Sequence, residues 1–260
     1  HALAIPKEGG SSSRGVPVLL GREIDALCTL VERGVGVDPD TVEDIIRAGQ
    51  DEALKVVMGC PSFPRVPSGI IRWAGGGTVT TMAAEYGRGS TLRMLHERGF
   101  DVPSSCVYLA VRNGHADVVR QLLEWGVTPR LDAIVEAMFR GFAVASRGRS
   151  RPAADESTPG RSILEMLDAG GYIEPYTRPP EGPKFALRLV DAKWDMPSDS
   201  IIAGLKWLRA RGIMPTAMSA NSAAQSSDTA ILEYLYSIGV DCTQISPDRA
   251  SEAALRFIGR

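Results

Sequence analysis

Along the chain, apolar positions fall into short stripes at helical spacing, each closed by a glycine. The clearest runs over residues 109–127, "LAVRNGHADVVRQLLEWGV". Its first helix carries Ala110, a size that allows close helix approach, and stops at Asn113-Gly114, a pair suited to a left-handed turn. Its second helix presents Val118, Val119, Leu122 and Leu123 at i, i+1, i+4 and i+5, a stripe that needs a neighbour to cover it. Gly126 ends it.

The pattern recurs. Residues 82–100, "MAAEYGRGSTLRMLHERGF", align with that stretch without a gap at a shift of 27, and residues 222–240, "SAAQSSDTAILEYLYSIGV", at a shift of 113. Ala83 and Ala223 take the place of Ala110, Leu95 and Leu235 that of Leu122, Gly99 and Gly239 that of Gly126. Weaker copies of the second helix lie at 24–34, 51–60 and 200–212. Residues 136–141, "EAMFRG", read as a first helix ending at Gly141, with 161–171 as its second. Helix starts are signalled by Asp40 with Glu43, by Thr158-Pro159 and by Ser246-Pro247. One hairpin cannot bury its own stripe, so about seven such units must stack. The pattern predicts a flexible N-terminal segment over 1–21, then a single repeat domain over 22–260 closed by a capping helix near 247–258.

These residues resemble the ankyrin repeat. Its pattern of Thr-Pro-Leu-His-x-Ala-Ala-x-x-Gly-His, an acidic-aliphatic helix, Leu-Leu and Gly is followed at Ala110, Gly114, His115, Val118, Val119, Leu122, Leu123 and Gly126, although no unit contains Thr-Pro-Leu-His. Gly99 and Gly126 lie 27 apart, as do Gly212 and Gly239, against about 33 in the family. The shortfall falls where ankyrin repeats build their projecting β-hairpin. The resemblance therefore implies an all-α, ankyrin-like helical-hairpin solenoid with reduced β-hairpin loops and well-exposed inner helices. Insertions at 61–77, 142–158 and 172–183 lengthen particular connections.

Composition changes this picture little. Charged residues make up 23% and the net charge is −2, which argues against a nucleic-acid or membrane-surface binder. The sequence begins with His1, so a chain processed after secretion and a cytoplasmic one are both open readings. Cys28, Cys60, Cys106 and Cys242 are far apart and lack metal-site spacing, which predicts free buried thiols.

No catalytic constellation emerges, and no cofactor or metal is expected. His1 is terminal, His96 aligns with Leu123 and is expected in the core, and His115 supports a turn. Gly75-Gly76-Gly77 lacks the Lys and Ser/Thr of a phosphate loop, and Asp195 and Asp199 sit near a helix start, where the helix dipole favours them. Arg147, Arg149 and Arg151 read as a solvated insertion, or as a docking element for an acidic or phosphorylated partner. Residues 178–183, "RPPEGP", read as a stiff connector rather than a polyproline ligand. Met94, Trp207 and Tyr234 align with Gln121 and are expected to pack between units.

Ankyrin proteins contact partners largely through the two residues before the turn glycine and the loop ahead of the first helix. Carried over, these are Glu85, Tyr86, Arg112, Asn113, Phe139, Arg140, Gln225 and Ser226, with Ser104 as the loop position. The resemblance implies a monomeric, non-enzymatic module that binds another protein through its concave inner-helix face. It would act as scaffold, adaptor or inhibitor, or as a secreted effector aimed at host signalling proteins. The competing reading is an enzyme or small-ligand carrier on another α-solenoid.

Overall fold

Glycine decides where most of these helices end. Gly114 takes φ 78°, and its N–H and that of His115 fold back onto the carbonyls of Val111 at 3.0 Å and Ala110 at 2.9 Å. Those bonds satisfy two of the carbonyls a helix end leaves open. A residue with a Cβ would pay about 1–2 kcal/mol to adopt that backbone. Five of the outer helices close in the same way. Leu95, Leu122, Leu167, Leu208 and Leu235 each accept a bond from the residue after a positive-φ glycine, and that residue is Phe100, Val127, Tyr172, Ile213 or Val240. The turn thus fixes the exit of the chain and tucks an apolar side chain back under the helix.

A computed structural model describes residues 21–34, 37, 39–59, 78–142, 159–178, 181–191 and 197–259. Every regular element among them is helical, with an isolated bridge residue at Val37. Contacts group the chain into two compact units, His1–Val127 and Thr128–Arg260.

The first unit holds α1 (Gly21–Glu32), α2 (Pro39–Ala48), α3 (Asp51–Met58), α4 (Val79–Glu85), α5 (Gly89–Glu97), α6 (Ser105–Asn113) and α7 (Ala116–Glu124). The inner helices pack in the order α2, α4, α6; each also meets the outer helix that follows it, and outer helices pair as α1 with α3 and α5 with α7. Ala83, Ala84, Ala110 and Val111 are fully buried between the inner helices and their neighbours. Thr78 opens α4 with a reciprocal cap: its hydroxyl accepts from the Thr81 N–H at 3.2 Å, and Thr81 Oγ1 accepts from the Thr78 N–H at 2.7 Å.

The turns also lock adjacent hairpins. His115 Nε2 lies 2.9 Å from the carbonyl of Glu85, on the turn of the preceding hairpin, with its ring against Gly87. Twenty-seven positions earlier, Arg88 does the same one hairpin back, donating through Nε at 3.0 Å to the carbonyl of Arg47 beside Gly49. Two different side chains at one repeat position thus make one geometric contact.

The second unit holds α8 (Leu131–Phe142), α9 (Pro159–Ala169), a 3-10 turn at Glu174–Tyr176, α10 (Glu181–Asp191), α11 (Ser198–Arg209), α12 (Ala217–Ala223), α13 (Ala230–Ser237) and α14 (Glu252–Ile258). Here α8, α10 and α12 form the inner row, and α11 meets α13. The core is larger-grained, with Met138, Phe185, Leu189 and Leu205 fully or almost fully buried.

Four expectations need correction. Gly141 does not end a helix; it lies inside α8, which packs closely on α9. A Cβ on Gly141 would stand 3.0 Å from Leu164, and one on Gly160 would stand 2.5 Å from the Arg140 backbone. Second, His96 is exposed, stacked on Trp125 with ring centroids 4.2 Å apart, and its counterpart Leu123 is only half-buried. That position lies about 100° beyond Leu122, at the margin of the stripe. Third, the connection expected over 172–183 contains the first turn of α10, because the helix starts at Glu181. Fourth, the last helix begins at Glu252 and not near Pro247. Arg249 and Ala250 turn back onto the Ser246 carbonyl, and Ser251 Oγ caps the helix by accepting from the Ala254 N–H at 3.2 Å. The segments expected as insertions at 61–77 and, beyond Phe142, up to 158 lie outside the described residues, as do residues 1–20.

Two stability predictions follow from the turns and the core. A Cβ on Gly126 meets nothing within 4 Å, so Gly126→Ala should lose only the backbone cost of roughly 1–2 kcal/mol. A Cβ on Gly87 would stand 2.5 Å from His115 Nδ1, so Gly87→Ala should lose more, and His115→Ala should abolish the excess in a double-mutant cycle read by urea unfolding. Equal losses in both backgrounds would mean the ring does not sit on the turn. Ser219 is fully buried and its hydroxyl has no partner among the described residues, so Ser219→Ala should raise stability by about 1 kcal/mol. A lower melting temperature would refute that reading.

Candidate functional site

The inner helices put the expected contact residues near their C-terminal ends, and local chemistry then sorts them. Tyr86 follows α4, half-buried, and its ring lies against α2 of the preceding hairpin. Arg47 Nη2 donates to the Tyr86 hydroxyl at 2.9 Å, and that hydroxyl donates to Glu43 Oε1 at 3.0 Å. Arg47 also pairs with Glu43 and, at 3.3 Å, with Asp44, and its guanidinium centre stands 5.1 Å from the Tyr86 ring centroid. Burial pushes the Tyr86 hydroxyl pKa up, and the bond that Arg47 donates to Tyr86 raises the pKa of Arg47. Tyr86 is therefore a clasp between hairpins.

Others are similarly engaged. Asn113 folds back to donate to the Leu109 carbonyl at 2.9 Å, and Arg140 pairs with Glu136 at 3.0 Å one turn earlier in α8. Phe139 is half-buried on α8. Ser226 is half-buried, its hydroxyl accepting from the Asp228 N–H at 3.2 Å and its carbonyl accepting from Ser251 at 2.6 Å. Ser104 precedes α6 as a half-buried residue in helical backbone and makes no side-chain cap. Glu85, Arg112 and Gln225 remain exposed, and their side chains have no partner among the described residues.

In the first unit, Glu85, Tyr86, Arg112 and Asn113 lie at the ends of the adjoining helices α4 and α6; in the second, Phe139 and Arg140 belong to α8, and Gln225 and Ser226 follow α12. The inner helix between those two, α10, ends in an exposed Asp191 that accepts from Ser222 Oγ at 2.6 Å. The sequence reading passed over it because α10 has no turn glycine.

Two further residues were missed. Met214 is 44% exposed in the loop ahead of α12, and Met218 is 64% exposed in its first turn. A signal was present: at the shift of 113 that aligns 222–240 with 109–127, these positions correspond to Asp101 and Ser105, polar in the better repeat.

The positions expected to pack between units do so in part. Trp207 is half-buried, edge-on to Phe142 at 6.2 Å and covered by Arg211, whose guanidinium centre is 3.4 Å from the ring centroid and which pairs with Asp168. Met94 and Tyr234 are half-buried, and Gln121 is buried, donating to the Gly89 carbonyl at 3.2 Å. Among reactive groups, Cys28, Cys106 and Cys242 are free thiols; burial pushes Cys106 up to about 12 and raises Cys242. No three His, Cys, Asp or Glu side chains come together as metal ligands among the described residues, and no described helix is long and apolar enough to cross a membrane. His1, Cys60, Gly75 to Gly77, Arg147, Arg149, Arg151 and Asp195 lie outside the described residues.

No family model matches the sequence, and no curated protein matches it. The structure does resemble a solved one, the human ASB11 ankyrin repeat domain, with a TM-score of 0.50 and 17% identity over 85% of this chain and 97% of that one. The fold is thus all-α and ankyrin-like, built from helical hairpins, as the repeat pattern predicted.

The clasp makes a specific prediction. Tyr86→Phe removes a hydroxyl that bridges Arg47 and Glu43 but leaves those two paired, so it should cost roughly 0.5–1.5 kcal/mol in urea unfolding. An unchanged midpoint would show that the hydroxyl contributes nothing to the joint.

Proposed function

We propose that this chain is a non-enzymatic protein-interaction module that binds a partner protein, as a monomer, through the outward residues of its inner helices. The observation that carries the reading is the exposed set left over once the internal bonds are assigned. Glu85, Arg112 and Gln225 sit at matching positions of α4, of α6 and just after α12, exposed and without side-chain partners among the described residues. The loops ahead of α6 and α12 are short, so nothing in them projects as a hairpin. Charged and amide groups held at the ends of packed inner helices in each unit suit protein recognition, where Arg and aromatic anchors carry most of the energy.

An ankyrin-like fold supports the same reading. Whether the module scaffolds, adapts or inhibits, or serves as a secreted effector against host signalling proteins, depends on the partner it grips.

The test separates leftover residues from engaged ones. Glu85→Lys with Arg112→Glu should abolish capture of partners from lysate, with circular dichroism and melting temperature unchanged. Asn113→Ala with Arg140→Ala, which break only local bonds, should leave capture intact. The reverse result would place the interface on the engaged residues, and capture retained in both variants would place it away from the inner-helix ends.

A further inference from the structure

Exposed methionines are rarely idle: a flexible thioether in water gains nothing by being there and much by being covered. Met214 and Met218, the most exposed methionines among the described residues, both belong to the α12 hairpin. Their setting follows from burial alone. Along α12 and its C-cap the buried pairs are Ser219 with Ala220 and Ala223 with Ala224; on α10 they are Phe185 with Ala186 and Leu189 with Val190. The residue just ahead of the first pair is Met218 on α12 and Lys184 on α10, so the two occupy the same position on adjoining inner helices. One turn further along α10 is Arg188.

Charge supplies the second half of the argument. Lys184 meets Glu181 at 2.8 Å, but both side chains are largely exposed, and such a pair is readily exchanged. Arg188 is exposed and has no carboxylate partner among the described residues. Two exposed thioethers therefore lie on the hairpin beside α10, whose exposed Arg188 has no carboxylate partner among the described residues and whose Lys184 is only loosely held.

We propose that Met214 and Met218, with Lys184 and Arg188, form the docking site for a partner segment that interleaves apolar and acidic side chains. The apolar side chains cover the two thioethers, whose rotatable bonds adapt to their shape, while a carboxylate engages the guanidinium fork of Arg188. The inference rests on the reading of the inner helices as a protein-binding surface and names the partner's chemistry at one place on it.

The full chain, labelled with 13C at its methionine methyls, reports directly, since it has eight methionines and each signal can be assigned by substitution with Leu. The probe is a short synthetic peptide alternating Leu or Phe with Asp or Glu, and its controls replace the acids by Lys or the apolar residues by Ser. The acidic apolar peptide should shift the Met214 and Met218 signals and spare that of Met138, which is fully buried in the same unit. Arg188→Glu should weaken its binding about tenfold or more, the loss expected for one charge-assisted hydrogen bond. Equal shifts with the Lys peptide, no shift with any peptide, or shifts that follow protein concentration alone (a second copy as the occupant) would each overturn the proposal. Silent methyls beside lost capture in Glu85→Lys with Arg112→Glu would refute this site and leave the broader reading standing. Retained capture in that variant with responsive methyls would do the opposite.

Discussion

The structure depends on each hairpin having a neighbour. An outer helix such as α7 buries Val118, Val119 and Leu122 completely, and nothing within its own hairpin is large enough to cover all three. Coverage has to come from an adjoining hairpin at a fixed offset, as α5 gives to α7, and the turn sets that offset. Gly87 has no Cβ, so the His115 ring rests directly on the turn and reaches the Glu85 carbonyl; beside Gly49 Arg88 makes the same reach to the Arg47 carbonyl. An imidazole ring and a guanidinium fork do one job because the requirement is only a donor of the right length at that place. The backbone bond is what repeats, and the side chain that makes it is free to vary.

This explains which parts of the fold were legible in the sequence. Stripes and their closing glycines report local backbone physics, so α5, α6, α7, α11 and α13 were readable, as were their ends at Gly99, Gly126, Gly212 and Gly239. Close approaches through space leave no such mark. Gly141 looks like a turn glycine in the chain but serves to let α9 lie against α8, with Gly160 opposite it. Helix α10 was hidden for the complementary reason: no turn glycine follows Asp191 in the sequence, and its core residues Phe185, Leu189 and Val190 are larger than the small residues that flagged α4, α6 and α12. The start of α14 turned on a single serine hydroxyl at Ser251, where the preceding Ser-Pro pair gave the stronger but misleading signal.

The candidate site shows the same division. Register alone picked Tyr86, Asn113, Arg140 and Ser226 because partners meet those positions in related folds. In this chain each has an internal bond: to Arg47 and Glu43, to Leu109, to Glu136, and to Asp228 with Ser251. No spacing rule predicts that, since Arg47 and Glu43 lie some forty residues from Tyr86. What register gives is a list of positions that face outward. What the structure adds is how many of their donors and acceptors are already committed.

The uncommitted groups differ in kind between the two units, and the difference bears on how a partner would be held. In the first, the exposed pair Glu85 and Arg112 carries opposite charges at equivalent helix ends, an arrangement that orients a partner more than it attracts one. In the second, Met214 and Met218 offer area without direction, beside the cations of α10. Apolar area supplies affinity only when it is covered, and charge supplies selectivity only when the wrong partner leaves it unpaired. A module using both would need them on surfaces whose positions do not drift. The inner helices provide that, because their buried Ala pairs and the turn bonds behind them hold each helix at close range to the next. The stacking that makes the repeats stable is therefore the same feature that would let so few exposed side chains act as a specific surface.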